Sequence, residues 1–552
     1  MRVTFYDFGY GMLGVQHNMA CLHEAGHEVS LFFDNSMSMD HLAQDMGLNA
    51  LLSLKPKQVL EGLMASDPQV VCFSIPTYVY KSTKALISLL KREYPEVLVA
   101  VGGVHPTLLP HVTARNPEID FTCVGEGEIA FPKLVTDIES RGAEAVKGSP
   151  REAHPGIWNL WNGEMVNRGF SPTVKDLDVL PYPEKRHHYA ANPALQPIYT
   201  LLASRGCVFT CTFCNSASLN TKYRKEGNAK FYRCRSVDSI IEELQWAKRT
   251  YQPKFVQFFD DIFGVKPSWL EEFSVKYKRE IGLPFEIQTN PKIHNEHSMQ
   301  LLADCGCVHL EFGFQSANAE IRREMLSRKE TNEQVKELIR AARGKGMLME
   351  LDLIVNLPGE TEAEVQEAID FVEAVNPELV NVSFLQYFPK TPIIQTAIKH
   401  GILQEEHLLQ IEEGEMVNSM RLLKRSGLNA RYRILPFQMY FAAHYPRWLA
   451  RLIMGFTGLP GLRRFFSRFG SFFLYLTRIW VGITDKRDFY HRRQIPRATV
   501  AAIDILRLKL GIPRKRVIRP YNEGDPPLPQ MLIEAPLSED VPAHGEKIAV
   551  SG

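Results

Sequence analysis

Twice along this chain, short apolar runs alternate with amphipathic ones, and that alternation narrows the folds open to it. In the first series RVTFYDF (2–8), HEVSLFF (27–33), PQVVCFSI (68–75), VLVAVGG (97–103) and DFTCVGEGE (120–128) read as strands, with helical patterns over 15–25 and 84–94. The second series runs through YTLLASRG (199–206), KFVQFFDD (254–261), FEIQTNP (285–291), HLEFGFQS (309–316), MELDLIVNLPG (349–359) and LVNVSFLQYF (379–388). Its helices include 236–251 and 332–346. Consecutive strands separated by a helix pair in parallel, because the helix carries the chain back to the starting edge. The fold class is therefore α/β. The first series predicts a doubly wound, Rossmann- or flavodoxin-like domain, and the second a partial (β/α)6 barrel.

The pattern also divides the chain. We expect the first domain over 1–145 and the barrel over 196–400. Between them, 146–195 is richer in Pro, Asn, Trp and His, as in 178-DVLPYPEKRHHY-189, and reads as a linker. The alternation stops at 401, and 401–522 reads as a mainly helical, basic and aromatic region. The Pro- and acid-containing stretch 523–552 reads as a disordered tail.

In both architectures ligands sit beyond the carboxyl ends of the strands. Two glycine-bearing segments fall there in the first domain: Gly102-Gly103-Val104-His105 and Gly125-Glu126-Gly127. They serve either a close backbone approach to a ligand or tight turns. In the barrel, the loop after the first strand carries 205-RGCVFTCTFC-214, with cysteines at 207, 211 and 214. Tetrahedral zinc wants four ligands and a disulfide framework an even number. Three thiolates in one short loop suit three corners of an iron–sulfur cubane, leaving the fourth iron open. Cys305 and Cys307 fit no zinc spacing and read as core residues.

Of 552 residues, 45% are hydrophobic and 23% charged, which is a globular composition. No secretory pattern and no run of 18 apolar residues appears, so a reducing cytoplasm is the expected compartment. The net charge of +1 does not announce a nucleic-acid partner. It hides an asymmetry: residues 431–497 hold 13 Lys and Arg against two Asp, among many aromatics. Such a stretch can cap the barrel with its arginines in solvent, or lie on an anionic membrane surface. Nucleic acid is the weakest of the three readings, because no RNA-binding module follows the barrel.

RGCVFTCTFC closely resembles the signature of the radical S-adenosylmethionine (SAM) superfamily, and later segments follow that family's order over about 200 residues. The resemblance implies that Cys207, Cys211 and Cys214 hold a 4Fe-4S cluster whose open iron binds SAM. Reductive cleavage of SAM would then give a 5′-deoxyadenosyl radical that abstracts hydrogen from substrate. Phe213 matches the aromatic that packs the adenine. 258-FFDDIF-263 makes Asp260 and Asp261 candidates for the amino group or ribose of SAM, although acids there can equally cap a helix. 311-EFGFQSAN-318 offers Gln315 and Ser316 where the family usually ends Glu-Ser. 357-LPGETEAEV-365 and 388-FPKTPI-393 resemble the fifth and sixth turns, the latter with Lys390 in place of Gly.

The first domain resembles the cobalamin-binding subclass through 101-VGGVHPTLLP-110 and 123-CVGEGEIAF-131. That implies cobalamin as a further cofactor, with Gly102, Gly103, His105, Gly125, Glu126 and Gly127 as candidate contacts. The lower-ligand motif Asp-x-His-x-x-Gly is not matched: 21-CLHEAG-26 has Cys21 where the Asp belongs, so His23 is not expected on cobalt. Hydrogen abstraction from an unactivated carbon follows, with methyl transfer expected ahead of a cyclisation like that of the anaerobic Mg-protoporphyrin monomethyl ester cyclase. The expected substrate is a hydrophobic lipid, isoprenoid or tetrapyrrole, and the electron donor a flavodoxin or ferredoxin. A cobalamin-binding sensor with a vestigial barrel is the alternative of another class.

Overall fold

The computed structural model describes residues 1–9, 11–36, 53–227, 229–415, 435, 438–439, 447–459, 462, 465 and 489–512. The 523–552 tail and much of the basic region lie outside them.

The first sheet has seven strands: β1 (Arg2–Phe8), β2 (Glu28–Asp34), β3 (Val70–Ser74), β4 (Leu98–Gly102), β5 (Phe121–Cys123), β6 (Ile157–Trp161) and β7 (Glu164–Val166). Their order is β2-β1-β3-β4-β5-β6-β7, and the first five pair in parallel. The chain reverses its winding between β1 and β3, which opens a crevice at their carboxyl ends. β6 and β7 are antiparallel additions. They arise within 146–195, so that segment widens the first sheet before it crosses to the barrel. Their two-residue turn is Asn162-Gly163, with φ of 51° and 80°, the mirror-image geometry that suits a twisted hairpin.

The second sheet is wholly parallel, in the order β8-β11-β12-β13-β14-β15. Its strands are β8 (Ile198–Leu201), β11 (Phe255–Phe258), β12 (Phe285–Thr289), β13 (Cys307–Gln315), β14 (Leu348–Val355) and β15 (Leu379–Phe384). β8 and β15 do not pair, so this is an open six-stranded barrel. A two-stranded antiparallel ribbon, β9 (Ser204–Arg205) with β10 (Arg233–Cys234), brackets the cysteine loop and the helix Asn215–Lys225.

A parallel sheet buried on both sides usually reads as continuous apolar runs. Here β12, β13 and β14 alternate. Ile287, Leu310, Phe312, Phe314, Met349, Leu351 and Leu353 face the helices and form the core. The alternate positions carry Glu, Gln, His and Asp, so the inner face is polar. Among the described residues, no helix is long and apolar enough to cross a membrane.

Candidate functional site

The cysteine loop starts where β9 ends and closes where a helix begins. Cys214 is the cap of Asn215–Lys225, and the Ser216 N–H donates to its Sγ at 3.4 Å. The Phe209 N–H donates to Cys207 Sγ at 3.5 Å, and Arg328 Nη1 donates to Cys211 Sγ at 3.6 Å. Each sulfur thus has one donor able to offset thiolate charge. Burial, helped by nearby negative groups such as Asp261 and Glu330, pushes all three thiols up, Cys207 to about 12; iron would reverse that balance. Among the described residues no three His, Cys, Asp or Glu side chains converge on a single ion. A cubane does not require that, since each thiolate caps its own iron.

Thr212 anchors the loop. Its N–H donates to Leu326 O at 3.3 Å, its Oγ1 to Met325 O at 2.5 Å, and its carbonyl accepts from the Ile393 N–H at 3.0 Å. The turns after β13 and β15 therefore hold the cysteines from below. Arg328 adds a second tie, reaching from Cys211 to the Gly313 carbonyl and pairing with Glu330. No spacing rule singles out Arg328.

The expected SAM positions separate into two kinds. Asp261 is exposed beside the loop and accepts from Ser216 Oγ at 2.8 Å. Phe213 is half-buried against a cluster containing Leu326, Leu357 and Ile393. Gln315 ends β13 in a left-handed conformation (φ 74°) at a register shift, which turns its side chain back over Gly313. Ser316 is buried, and its Oγ accepts from the Asn318 N–H at 3.3 Å. Asp260 differs from the expectation. It is fully buried and accepts from the Ala203 N–H at 3.0 Å and from both the N–H and Oγ of Ser204 at 2.5 Å. Its carboxyl, pushed up to about 7 by burial against those bonds, fastens β11 to the start of the cysteine loop.

Across the inner face of the barrel runs a polar row that single-strand reading missed. Thr200 donates to Gln257 Oε1 (3.0 Å) and Gln257 to Glu286 Oε1 (2.6 Å). His309 then lies between Glu286 (3.2 Å) and Glu350 (3.3 Å). Burial disfavours its charged form, but the two carboxylates outweigh that and hold its pKa well above the usual value. The signal was present: alternation in strands whose neighbours are all parallel.

On the other side of the junction, the β4 and β5 ends lie side by side, linked by Gly125 N–H donating to Thr107 Oγ1 at 3.0 Å. Gly103 and Gly125 have φ of 98° and 106°. A Cβ on Gly103 would lie 2.8 Å from Ile75 N, and one on Gly125 would lie 2.8 Å from the Phe170 ring. Both glycines are demanded by the turns themselves. Gly102 is less confined, and Gly127 opens the helix Gly127–Arg141 against Asn18. His105 is fully buried, stacked on Tyr80 with centroids 4.2 Å apart. Both ring nitrogens lack a partner, and burial lowers its pKa to about 4. His105 is thus a neutral, enclosed imidazole beneath the glycine-turned strand ends.

Glu126 is engaged by protein cations. Its carboxylate takes Arg233 at 2.5 and 3.0 Å, Arg205 at 3.4 Å and the Val174 N–H at 2.8 Å. Burial works against its charge, yet the Arg233 hydrogen bonds hold its pKa below the ordinary range. Glu128 takes Arg205 at 2.6 Å. Arg205 stands two residues before Cys207, so these four side chains bolt the end of β5 to the entrance of the cysteine loop. The helix after β4 packs on the helix after the loop as well. The carboxyl ends of both sheets therefore face one another.

Two strand-end edges are closed on each other, one of them bearing a cysteine triad, and comparison with known proteins identifies both domains. Residues 201–372 match the Radical SAM superfamily and residues 10–135 match the B12 binding domain. An uncharacterized methyltransferase of Pyrococcus horikoshii is 28% identical over 372 residues, covering 66% of this chain and 75% of that protein. The anaerobic magnesium-protoporphyrin IX monomethyl ester cyclase of Rubrivivax gelatinosus is 26% identical, covering 62% of this chain and 60% of its own length. The cobalamin-dependent SAM radical enzyme OxsB, solved with aqua-cobalamin and SAM bound, superposes with a TM-score of 0.59 at 14% identity over 93% of this chain and 80% of its own, a likeness of fold. The chain thus carries a B12-binding domain followed by a radical SAM domain, and its curated relatives include cobalamin-dependent radical SAM enzymes. Its cofactors are a 4Fe-4S cluster, SAM and cobalamin.

Proposed function

We propose that this enzyme transfers a methyl group to an unactivated carbon of a hydrophobic small molecule, of the lipid, isoprenoid or tetrapyrrole class. When bound, the cluster with SAM supplies a hydrogen-abstracting radical and cobalamin a methyl group. In this reading Cys207, Cys211 and Cys214 are the cluster ligands. Phe213, Asp261, Gln315 and Ser316 surround SAM, and Asp260 positions the loop. Gly102, Gly103, His105, Gly125 and Gly127 shape the cobalamin edge. The observation that carries the reading is the clamp of Glu126 and Glu128 on Arg205 and Arg233, which fixes the two edges against each other. Methyl transfer gains support from the Pyrococcus relative, and cyclisation without it from the Rubrivivax one. To separate them, SAM labelled in its methyl group is given to extracts with and without the protein, and product masses are compared. A labelled product supports transfer; an unlabelled, oxidised product supports the cyclase.

A flavodoxin or ferredoxin is the proposed electron donor. We also propose peripheral contact with an anionic membrane. The helix Arg447–Gly458 exposes Trp448, Leu452 and Phe456 at four-residue spacing, one apolar stripe on a basic segment. Failure to co-sediment with anionic vesicles would sink this part alone.

A further inference from the structure

Where the domains meet, a partly open cavity of about 70 Å³ is walled by four parts of the chain. Gly11 and Gln16 come from the first domain, Lys185 and His188 from the connecting segment, and Thr200 and Gln257 from the inner face of the barrel. Arg497, buried on the helix Phe489–Lys509, lines it too.

Lys185 is 2% exposed. Its Nζ donates to Gln16 Oε1 at 2.7 Å and lies 4.8 Å from the Tyr199 ring centroid, so its partners are a neutral amide and a ring face. The nearby carboxylates are spent elsewhere. Glu184 pairs with Arg186 at 2.5 Å, and Glu243 is bound by Arg235 and by Tyr199 OH. His188, 1% exposed in its side chain, pairs through Nε2 with Asp7 at 2.7 Å, while its Nδ1 is buried without a partner. An ammonium taken out of water with no carboxylate in hydrogen-bond contact is among the costlier arrangements a protein holds. It is tolerated where a ligand brings the missing charge.

We propose that this cavity is an anion site, in which Lys185, flanked by His188 and Arg497, receives a phosphate or carboxylate oxygen of a bound molecule. Two sources carry that chemistry: an acidic group on the substrate, or the phosphodiester of the cobalamin nucleotide. An anionic end is compatible with an otherwise hydrophobic substrate, whose apolar part would extend toward exposed Phe259 on the same wall. The burial that lowers the Lys185 pKa to about 7 also means that an arriving anion would draw a proton onto it.

The test is calorimetric titration of inorganic phosphate into the cluster-loaded protein, with and without cobalamin, for wild type, Lys185→Met and Lys185→Arg. We expect phosphate to bind wild type, at least tenfold more weakly to Lys185→Met, and again to Lys185→Arg, which also controls for folding. Binding that persists with cobalamin present assigns the site to the substrate. Binding seen only without cobalamin, together with weaker uptake of cobalamin but not of cobinamide by Lys185→Met, assigns it to the cofactor phosphate. Equal binding by wild type and Lys185→Met, or no phosphate binding in either cofactor state, overturns the proposal. The proposal relies on the proposed function only for the nature of the cavity's occupant. Formation of 5′-deoxyadenosine does not depend on phosphate, so the two readings fail separately.

Discussion

The two edges that meet across the junction are built by different means. On the barrel side the chemistry lies in side chains: three sulfurs, each supplied with one N–H donor. On the cobalamin side it lies in backbone shape: Gly103 and Gly125 hold left-handed turns in places where a Cβ would strike Ile75 or Phe170. At the first edge a sulfur can be removed without altering the backbone conformation of its residue. The second cannot change its key residues without moving the chain. Between them lie charged groups, and those should give the largest effects on stability.

Lys185 offers the largest. Its folded pKa of about 7 lies below the ordinary lysine value. The unfolded chain therefore binds a proton that the folded chain does not between about pH 7 and 10.5. Stability of the cofactor-free protein should rise through that window by several kcal/mol, on the order of 5 by linkage. Lys185→Met should remove that rise, and urea midpoints across pH 6 to 10 read it directly. Glu128→Gln comes next. It leaves Arg205 buried with only the more distant Glu126, at a cost on the order of 3 kcal/mol. Iron content should persist while the two domains lose their common unfolding transition; an unchanged midpoint would mean that the clamp is not holding the edges together.

Gly125→Ala should break the cobalamin edge alone. The added methyl meets Phe170 in a conformation disfavoured for alanine, costing about 1–3 kcal/mol. Cobalamin uptake should fall while iron content and cluster absorbance stay. The smallest effect is favourable. Lys390 stands where the family has glycine, and its φ of 61° is left-handed. Lys390→Gly should relieve about 1 kcal/mol of backbone strain and raise the thermal midpoint slightly.

Much of this was legible in the sequence, for identifiable reasons. Strand–helix alternation fixes parallel pairing, and cysteine spacing is a local property of one loop. The hairpin β6–β7 was announced by Asn162-Gly163 between apolar runs, a signal masked by the Pro- and Trp-rich surroundings. The clamp was not legible, because Glu126 and Arg233 are 107 residues apart and only folding brings them together. The partners of Asp260 were hidden for a related reason. A carboxylate in a ligand-facing motif and one bound to backbone N–H groups 57 residues away look alike in sequence.

The central claim is that one chain holds a SAM-cleaving cluster and a cobalamin at facing edges. The direct measurement is 5′-deoxyadenosine formation by the anaerobically reconstituted, cobalamin-loaded protein after reduction and addition of SAM, beside Cys207→Ala. The account predicts 5′-deoxyadenosine from wild type and none from Cys207→Ala, with cobalamin bound equally by both. No 5′-deoxyadenosine from fully loaded wild type would contradict it and leave a cobalamin-binding sensor with a vestigial barrel as the better reading.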